Sequence, residues 1–428
     1  MSPVKPMQGM LPEPMAKSEK IAFSRWLALF WIAVSVLFSL SLWFSASVVL
    51  EEIEKAWNAG KGYGPWITAA VQLGFISGSL ISSLTALPDR MNPRRLFALS
   101  SLLGAAFNGW ILVAHHAEAG LLLRFLTGVS LAGVYPVGVK LLSQWFPRKR
   151  GLGIGVLIAA LTLGSALPHF VAAYALAFNW KWIIAASSIL AVAAAAFMQW
   201  VLPDVPKAAG KQARLSFGKL REILANRPIM LANYGYFGHM WELYAVWTWL
   251  PMFLKASFAS LPNTAFHQSA GEWYSFLIIG VAGAFGCIAG GLLADKIGRA
   301  RLSGGAMAVS ALCSITIGFT YGQAVWITLL IALVWGIAVI ADSAQFSAAV
   351  TEYSNPEYVG TALTFQMAVG FFISVFSINL IPFLQSWIGW QWVFAVLAIG
   401  PALGVISMGY LRKVEVGTPS RQGQALSS

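Results

Sequence analysis

The sequence predicts an all-α membrane protein in which twelve transmembrane helices form two similar halves of six helices. Of its 428 residues, 58% are hydrophobic and 10% are charged, with a mean hydropathy of +0.71. A soluble domain of this length has too little interior to bury so many apolar side chains. The chain also contains twelve apolar runs of about 20 residues, the length needed to span a bilayer, and one loop motif that occurs twice.

The apolar runs predict the domain organisation. We expect a disordered cytoplasmic tail over residues 1–24, a first half over 25–202, a polar and basic cytoplasmic linker over 203–228, a second half over 229–411 and a cytoplasmic tail over 412–428. The first six runs span residues 25–50, 65–87, 96–114, 121–146, 151–176 and 181–202. The second six span residues 229–255, 273–293, 303–321, 323–350, 360–384 and 391–411.

The basic residues predict the orientation. Of the 28 lysines and arginines, 22 lie in or beside the two tails, the linker and the loops after the second, fourth and eighth runs. The positive-inside rule assigns these segments to the cytoplasmic side. We therefore expect a multi-pass protein of the bacterial inner (cytoplasmic) membrane with both termini in the cytoplasm.

The same composition argues against several other classes of protein. The lysines and arginines lie in short loops between apolar runs, so no nucleic-acid-binding face is expected. No nucleophile elbow, metalloprotease helix or Walker loop is present, so we expect neither an enzyme nor a bound cofactor. Cys287 and Cys313 fall inside apolar runs, which argues against a disulfide framework or a thiolate metal site.

One loop motif occurs in both halves. Gly291-Leu-Leu-Ala-Asp-Lys-Ile-Gly-Arg-Ala-Arg301 follows the eighth run, and Thr85-Ala-Leu-Pro-Asp-Arg-Met-Asn-Pro-Arg-Arg95 follows the second. An aspartate can accept hydrogen bonds at a helix N-terminus, and arginines can pair with helix C-termini or acidic groups. An ordinary basic loop would explain one copy but not the alignment of two. We therefore predict cytoplasmic gating loops whose residues are Asp89, Arg90, Arg95, Asp295, Arg299 and Arg301.

The duplicated motif resembles the loop signature of the major facilitator superfamily of transporters, Gly-x-Leu-x-Asp-x-x-Gly-Arg. The first copy departs from it, because Thr85 and Asn92 replace glycines and Pro93 interrupts the arginines. Arg124-Phe-Leu-Thr-Gly128 in the fourth run resembles the fourth-helix signature of the family. The resemblance covers essentially the whole chain. It implies two six-helix bundles around a central cavity that opens alternately to each side.

Two narrower resemblances bear on the type of transport. Gly155, Gly164 and Pro168 in the fifth run match part of a pattern common in antiporters of the family, but its closing Gly-Pro-x-x-Gly-Gly portion is missing, so antiport is not established. The chain around Tyr234–Trp249 is similar to major facilitator transporters encoded with magnetosome genes of magnetotactic bacteria. That similarity implies iron as a substrate and a magnetosome membrane as a further location.

Ionisable side chains inside the apolar runs are candidate substrate or coupling residues, because a charge near the bilayer centre costs about 2.5–3.5 kcal/mol. His239 and Glu242 are three residues apart in the seventh run, and Tyr236 precedes them on the same helical face. We expect these side chains to face water in the central cavity and to contact substrate or carry a proton. In the alternative, His239 and Glu242 only hydrogen-bond to neighbouring helices.

Four further residues extend the candidate set. Asp342, with Gln345 nearby in the tenth run, could line the same cavity or brace the inner gate. The fourth-helix signature makes Arg124 a candidate for binding a substrate anion or tuning a proton carrier, and the alternative is an arginine that extends to the membrane interface. His169 in the fifth run could border the cavity.

These residues predict a secondary transporter that moves a small charged solute through the lipid bilayer, coupled to ions or protons, and they leave two substrate classes open. Arg124 favours a small organic or inorganic anion. His239, Glu242 and Asp342 would suit a divalent metal such as ferrous iron, for which imidazole and carboxylate are suitable ligands. The alternative function is a transporter-fold sensor or membrane scaffold that moves nothing. In a transporter, we expect Glu242→Gln to abolish or uncouple transport without preventing membrane insertion.

Overall fold

The computed structural model describes residues 24–59, 63–85, 87–146, 150–175, 179–204, 220–261, 268–355 and 358–417. Within these ranges the chain forms helices joined by short turns, with no strand. Most of the predicted tails and most of the predicted linker lie outside the described residues. The proposed domain boundaries therefore stay predictions.

The first half contains six apolar helices, α1–α6. Ser24 caps α1 by accepting a hydrogen bond from the backbone N–H of Trp26, as serine commonly does at a helix start. After α1 ends at Leu40, the chain continues through turns at residues 41–49 and the short helix Leu50–Ala56. The helices are α1 Arg25–Leu40, α2 Gly64–Thr85, α3 Pro93–Val113, α4 Ala117–Leu142, α5 Gly153–Tyr174 and α6 Lys181–Val201.

The second half contains α7–α12. Its first helix, α7, begins with Pro228 in its first turn, where the missing N–H of proline costs nothing, and the side chain of Asn226 caps it. The helices are α7 Arg227–Ala259, α8 Ala270–Ile297, α9 Arg299–Thr320, α10 Val325–Tyr353, α11 Val359–Ile388 and α12 Trp390–Glu415.

The predicted class of fold is confirmed. Among the described residues, ten helices are long and apolar enough to cross a membrane, and α1 is apolar but shorter. The remaining predicted span corresponds to α7, which is 33 residues long. The protein is therefore an all-α, multi-pass membrane protein whose helices lie where the apolar runs predict them.

Glycines set the closest helix contacts within each half. In the first half, a Cβ at Gly74 would overlap the carbonyl of Phe125, and one at Gly128 would overlap the carbonyl of Val71, so α2 and α4 touch backbone to backbone. In the second half, Gly286 holds α8 against α10 in the same manner. Small residues allow such close packing where lipid supplies no hydrophobic drive between helices. Equivalent helix pairs thus use the same device in both halves.

The two halves meet along two helix pairs, α2 with α11 and α5 with α8. In the middle of the first pair, Ser374 donates a hydrogen bond of 2.9 Å to the side-chain oxygen of Gln72. Nearer one end, the hydroxyls of Ser83 and Thr364 lie 3.4 Å apart. Because α2 and α8 occupy equivalent positions in the two halves, this arrangement agrees with pseudo-twofold symmetry.

The two ends of the bundle differ in charge. We name the end that carries Arg94 and Arg299 the basic-loop end, and the end that carries Glu51 and Lys255 the far end. All six predicted gating residues lie at the basic-loop end. The side chain of Asp89 lies outside the described part of the chain, Arg299 is half-buried, and the other four are exposed: Arg90, Arg95, Asp295 and Arg301.

Two described ion pairs at the basic-loop end each stay within one half. Arg94 pairs with Asp204 of the same half at 3.0 Å. Arg299 pairs with Glu352 at 3.4 Å, and its Nη1 donates to the side-chain oxygen of Gln345 at 3.0 Å. Gln345 therefore braces this loop in the present conformation, and its role at a substrate site stays a prediction.

We expect Gly128→Ala to destabilise the protein strongly. The new methyl group would overlap the carbonyl of Val71, and backbone cannot swing away as a flexible side chain can, so the cost should be about 1–3 kcal/mol or more. Gly305→Ala on α9 is the matched control, because nothing lies within 4 Å of a Cβ there. The melting temperature of both variants in detergent measures the effect. Equal melting temperatures would contradict the close α2–α4 contact.

Candidate functional site

Aromatic side chains from both halves meet in the middle of the interface. The indole of Trp43 stacks on the ring of Tyr244 with centroids 5.7 Å apart and lies 5.7 Å from the ring of Phe371. Phe75 approaches Phe371 at 5.0 Å. These separations are typical of favourable ring contacts. We name the group the aromatic cluster, and its buried members are Trp43, Phe44, Phe75, Tyr244, Trp247 and Phe371.

The place of Trp43 depends on Arg124 in α4, which is fully buried. The Nη1 of Arg124 donates to the carbonyl oxygen of Leu42 at 2.9 Å and to the side-chain oxygen of Asn108 at 3.1 Å. Its Nη2 donates to the carbonyl oxygen of Trp43. Backbone carbonyls just past the end of a helix lack helical partners, and α1 ends at Leu40. Arg124 thus stabilises the break in α1 and does not extend to the membrane interface.

The positive charge of Arg124 is not neutralised by a carboxylate in its described hydrogen-bond shell. Its other acceptors, the hydroxyl of Ser45 at 3.4 Å and the carbonyl of Ile67 at 3.5 Å, are also neutral. Buried charges are usually paired. The backbone of Trp43 separates this cation from the aromatic cluster, so the cluster lies in its field and favours an anion.

Two buried hydrogen-bond donors beside the aromatic cluster have no partner among the described residues. They are the indole Nε1 of Trp43 and the amide Nε2 of Gln72. Gln72 lies three residues from Phe75 on α2 and hence on the same face. Leaving a buried donor unpaired costs about 1–3 kcal/mol. A ligand with acceptor oxygens would remove this penalty at both atoms.

A small cavity of about 40 Å³ leads from the far end toward the aromatic cluster, two of whose members, Phe44 and Trp247, line it. Charged residues from both halves also line this cavity. His169 Nδ1 lies 2.6 Å from the Oε2 of Glu272, and the Nζ of Lys255 lies 3.3 Å from the Oε1 of Glu51. Each pair joins the two halves, so we name them the far-end ion pairs. His169 thus borders this far-end cavity, and its place at the central cavity stays a prediction.

The candidates Tyr236, His239 and Asp342 are brought together inside the second half. His239 Nδ1 lies 2.9 Å from the Oδ1 of Asp342 without an aligned hydrogen bond to that oxygen, and both side chains are about 2% exposed. Asp342 lies at an interruption of α10, between Ala341 and Ser343. The ring of Tyr236 stacks on the imidazole with centroids 6.1 Å apart. His239 Nε2 has no partner among the described residues.

Glu242 does not face water in this structure, contrary to the expectation. Its Oε2 accepts a hydrogen bond from Ser310 at 2.8 Å, and its Oε1 accepts one from the indole of Trp335 at 2.8 Å. Glu242 is 2% exposed, and all three residues belong to the second half. Two donors from α9 and α10 satisfy the carboxylate in place of water. The alternative of hydrogen bonds to neighbouring helices describes this conformation.

The predicted metal ligands do not form one set. His239 contacts Asp342, whereas the hydrogen bonds of Glu242 go to Ser310 and Trp335. Nowhere in the described ranges do three or more His, Cys, Asp or Glu side chains form a group that could hold a metal ion. The geometry therefore gives no support to the predicted iron site.

Several site residues escaped the sequence interpretation. Trp43 and Phe371 have the pattern of ordinary apolar residues of membrane helices. Gln72 is one of several polar residues within the apolar runs that could line a cavity, although such residues more often join helices. Ser310 and Trp335 give no sequence signal, because their importance comes from the distant Glu242. A usable signal for Trp43 was its place among the serines that interrupt α1, since polar residues mid-span often mark a break.

Comparison with known proteins supports the architecture. The chain matches the family model described as Major Facilitator Superfamily over residues 30–377 and 275–427. It is 23% identical to a gallate transporter of Pseudomonas putida over 92% of this chain and 93% of the relative. It is 24% identical to a 4-hydroxybenzoate transporter of Pseudomonas aeruginosa over 76% of each chain. It is 23% identical to a niacin transporter of Acinetobacter baylyi over 67% of this chain and 70% of the relative.

We expect the double change Glu51→Gln with Glu272→Gln to open the far end more often. Each change removes one carboxylate from a far-end ion pair. The exposed pair of Lys255 with Glu51 contributes up to about 1 kcal/mol, and the more buried pair of His169 with Glu272 adds to this. The rate of maleimide reaction with a cysteine at Thr248, which lines the far-end cavity, should then rise by about fivefold or more.

The labelling is done in a chain with Cys287 and Cys313 replaced by alanine, so that only the introduced thiol reacts. Glu118→Gln is the matched control, because Glu118 accepts a hydrogen bond from Tyr63 within the first half. It has no ion pair with a described residue of the second half. An equal rate in the double variant and the control would show that the far-end ion pairs do not hold this end closed.

Proposed function

This chain belongs to the major facilitator superfamily, and we propose that it carries a small aromatic carboxylate across the membrane by alternating access. The family model covers nearly all of the chain, and its relatives are named as transporters. The protein is thus a secondary transporter, and the chemistry of the interface supports the narrower substrate class.

The aromatic cluster supports the proposal that the substrate carries an aromatic ring. Rings from the turns after α1 and from α2 face rings from α7 and α11 across the interface. Transporters built from two such repeats bind substrate between them, near the bilayer midplane. A flat ring inserted between Trp43 and Tyr244, now 5.7 Å apart, would stack on one face of each. Contacts to both halves would couple binding to their relative movement.

The two unpartnered donors, Trp43 Nε1 and Gln72 Nε2, are the main support for the proposal that the substrate carries a carboxylate. Hydrogen bonds to a charged acceptor contribute about 1.5–3 kcal/mol, more than bonds between neutral groups. Arg124, behind the backbone of Trp43, adds a favourable field without being consumed as a direct ligand. Gallate, 4-hydroxybenzoate and niacin, after which three relatives are named, each combine a ring with a carboxylate.

Proton coupling is the second part of the proposal. His239 and Asp342 form a buried pair one ring away from the interface, since Tyr236 stacks on the imidazole. Gain or loss of a proton would change the charge inside the second half by one unit, which is costly in an apolar bundle unless packing responds. The carboxylate of Glu242 accepts hydrogen bonds from neutral donors on α9 and α10, and its hydrogen bonding would change when the pair gains or loses that proton.

The remaining sequence expectations enter here as parts of the proposal. We assign the basic-loop end to the cytoplasm because of the positive-inside rule. Both termini would then lie in the cytoplasm, in a protein of the bacterial cytoplasmic membrane. The far end would then face outward and be closed by its ion pairs. Iron is disfavoured as the substrate because the described residues lack a three-ligand group and the relatives are named for organic molecules. A magnetosome location has no support beyond the sequence resemblance.

We expect purified protein in proteoliposomes to take up labelled 4-hydroxybenzoate and to discriminate against cyclohexanecarboxylate, which lacks the flat ring. Trp43→Phe should raise the KM by about tenfold or more, because it keeps a ring but removes the N–H donor. Trp26→Phe on the exposed face of α1 is the matched control and should behave like the unaltered protein.

Parallel uptake of ferrous iron and of inorganic phosphate tests the other substrate classes. Uptake of either ion without uptake of aromatic acids would disprove the substrate assignment. If none of the compounds enters, while the protein stays folded and monodisperse, the result would favour the alternative function, a sensor or membrane scaffold.

We expect Asp342→Asn and Glu242→Gln to abolish accumulation driven by a pH gradient while substrate counterflow, which needs no net proton movement, persists. Each change removes one ionisable group from the buried cluster with almost no change in shape. Glu118→Gln, at an exposed position outside both predicted gating loops, is the matched control. Gradient-driven accumulation that survives in both variants would rule out proton coupling through these carboxylates.

A further inference from the structure

A second large concavity lies on the outer surface of the second half, where no part of the transport site reaches. This groove between α7, α11 and α12 has a volume of about 740 Å³ and is lined almost wholly by apolar atoms. Phe372, Leu403 and Ile406 line it and are 58–65% exposed, so they face the membrane. At its floor Gly238 and Gly400 bring α7 and α12 into backbone contact.

The groove has the length of one bilayer leaflet. Along α12 it extends over the twelve residues from Ile399 to Tyr410, which is eleven steps or about 16 Å at a rise of about 1.5 Å per residue. Half of a hydrocarbon core of about 30 Å is about 15 Å. Because α12 runs toward the basic-loop end and Tyr410 lies near its last turns, the groove belongs to the leaflet beside the basic loops.

Positive charge stands at the polar end of the groove. The Nζ of Lys413 lies 5.4 Å from the centroid of the Tyr410 ring, which itself lines the groove. Lys413 follows Tyr410 by three residues and so shares its helix face, whereas Arg412 lies on the opposite face. Tyr234 lines the groove on the facing helix α7. Two tyrosines and one cation at the membrane interface suit a lipid headgroup, since aromatic rings and basic side chains are the usual interface anchors.

We propose that this groove binds an anionic phospholipid from the leaflet beside the basic loops. One acyl chain would lie along Leu403 and Ile406, and the negatively charged headgroup would meet Lys413. A neutral lipid would fill the apolar part equally well but would gain nothing from this cation. The site touches α7 and α11, which carry the cluster residues Tyr244 and Phe371, so its occupancy bears on the same helices that contact substrate.

Native mass spectrometry of the full chain tests this with dioleoyl phosphatidylglycerol against dioleoyl phosphatidylcholine, which share acyl chains and differ in headgroup charge. We expect phosphatidylglycerol to be retained more strongly, and Lys413→Gln to weaken its retention by roughly fivefold. Leu403→Trp should reduce retention of both lipids, because the larger ring fills the groove from its exposed side.

Two matched variants separate the groove from general membrane electrostatics and from surface hydrophobicity. Arg412→Gln removes one exposed cation from the opposite face of α12, and Leu312→Trp enlarges an apolar side chain on α9 that is as exposed as Leu403. Both should leave retention unchanged. Equal retention of the two lipids, an effect of Arg412→Gln as large as that of Lys413→Gln, or retention that Leu403→Trp leaves intact would each overturn the proposal. A dimer that Leu403→Trp dissociates would do so too, because a second copy would then occupy the groove.

Discussion

The structure depends above all on how Arg124 satisfies the backbone where α1 breaks. A helix that ends in the middle of an apolar bundle exposes carbonyl oxygens that no water can reach, and such groups must find partners inside the protein. Arg124 supplies them from α4, with Asn108 of α3 joining the same network. Five donors in a rigid plane make arginine suited to several acceptors at once, which a lysine could not serve. The break in turn carries Trp43 into the interface, so the proposed substrate site depends on this buried guanidinium.

The two halves divide the chemical work differently despite their common architecture. The first half contributes a fixed cation and neutral donors around a broken α1, whereas the second keeps α7 continuous and places its ionisable side chains behind the interface. A substrate anion would therefore bind against the first half, and a proton against the second. Aromatic rings from both halves separate the two sites, which keeps buried charges of opposite sign from neutralising each other directly.

Apolar length and repeated loops made the helices and the pairing of halves predictable, because both follow from local composition and from chain symmetry. The outcome for Glu242 was not predictable, since its carboxylate is satisfied by Ser310 and Trp335 from helices far away in sequence. Arg124 shows the same limit: the signature locates it on α4, but only the break in α1 reveals what it donates to. His239 and Asp342 were both identified as candidates, yet their contact of 2.9 Å required the interruption of α10 that turns Asp342 inward.

Close packing inside each half and sparse polar contact between the halves together determine which helices can move at low energetic cost. Within a half, backbones touch at glycines such as Gly128 and Gly286, and any sliding there would force atoms to overlap. Between the halves, the polar contacts along the described helices are isolated ones, such as Ser374 with Gln72 at 2.9 Å and Thr162 with the sulfur of Cys287 at 3.6 Å. Separating these costs little in hydrogen bonding. The halves should therefore move as rigid bodies about the α2–α11 and α5–α8 seams, and a ligand stacked between Trp43 and Tyr244 would lie where that movement is felt most directly.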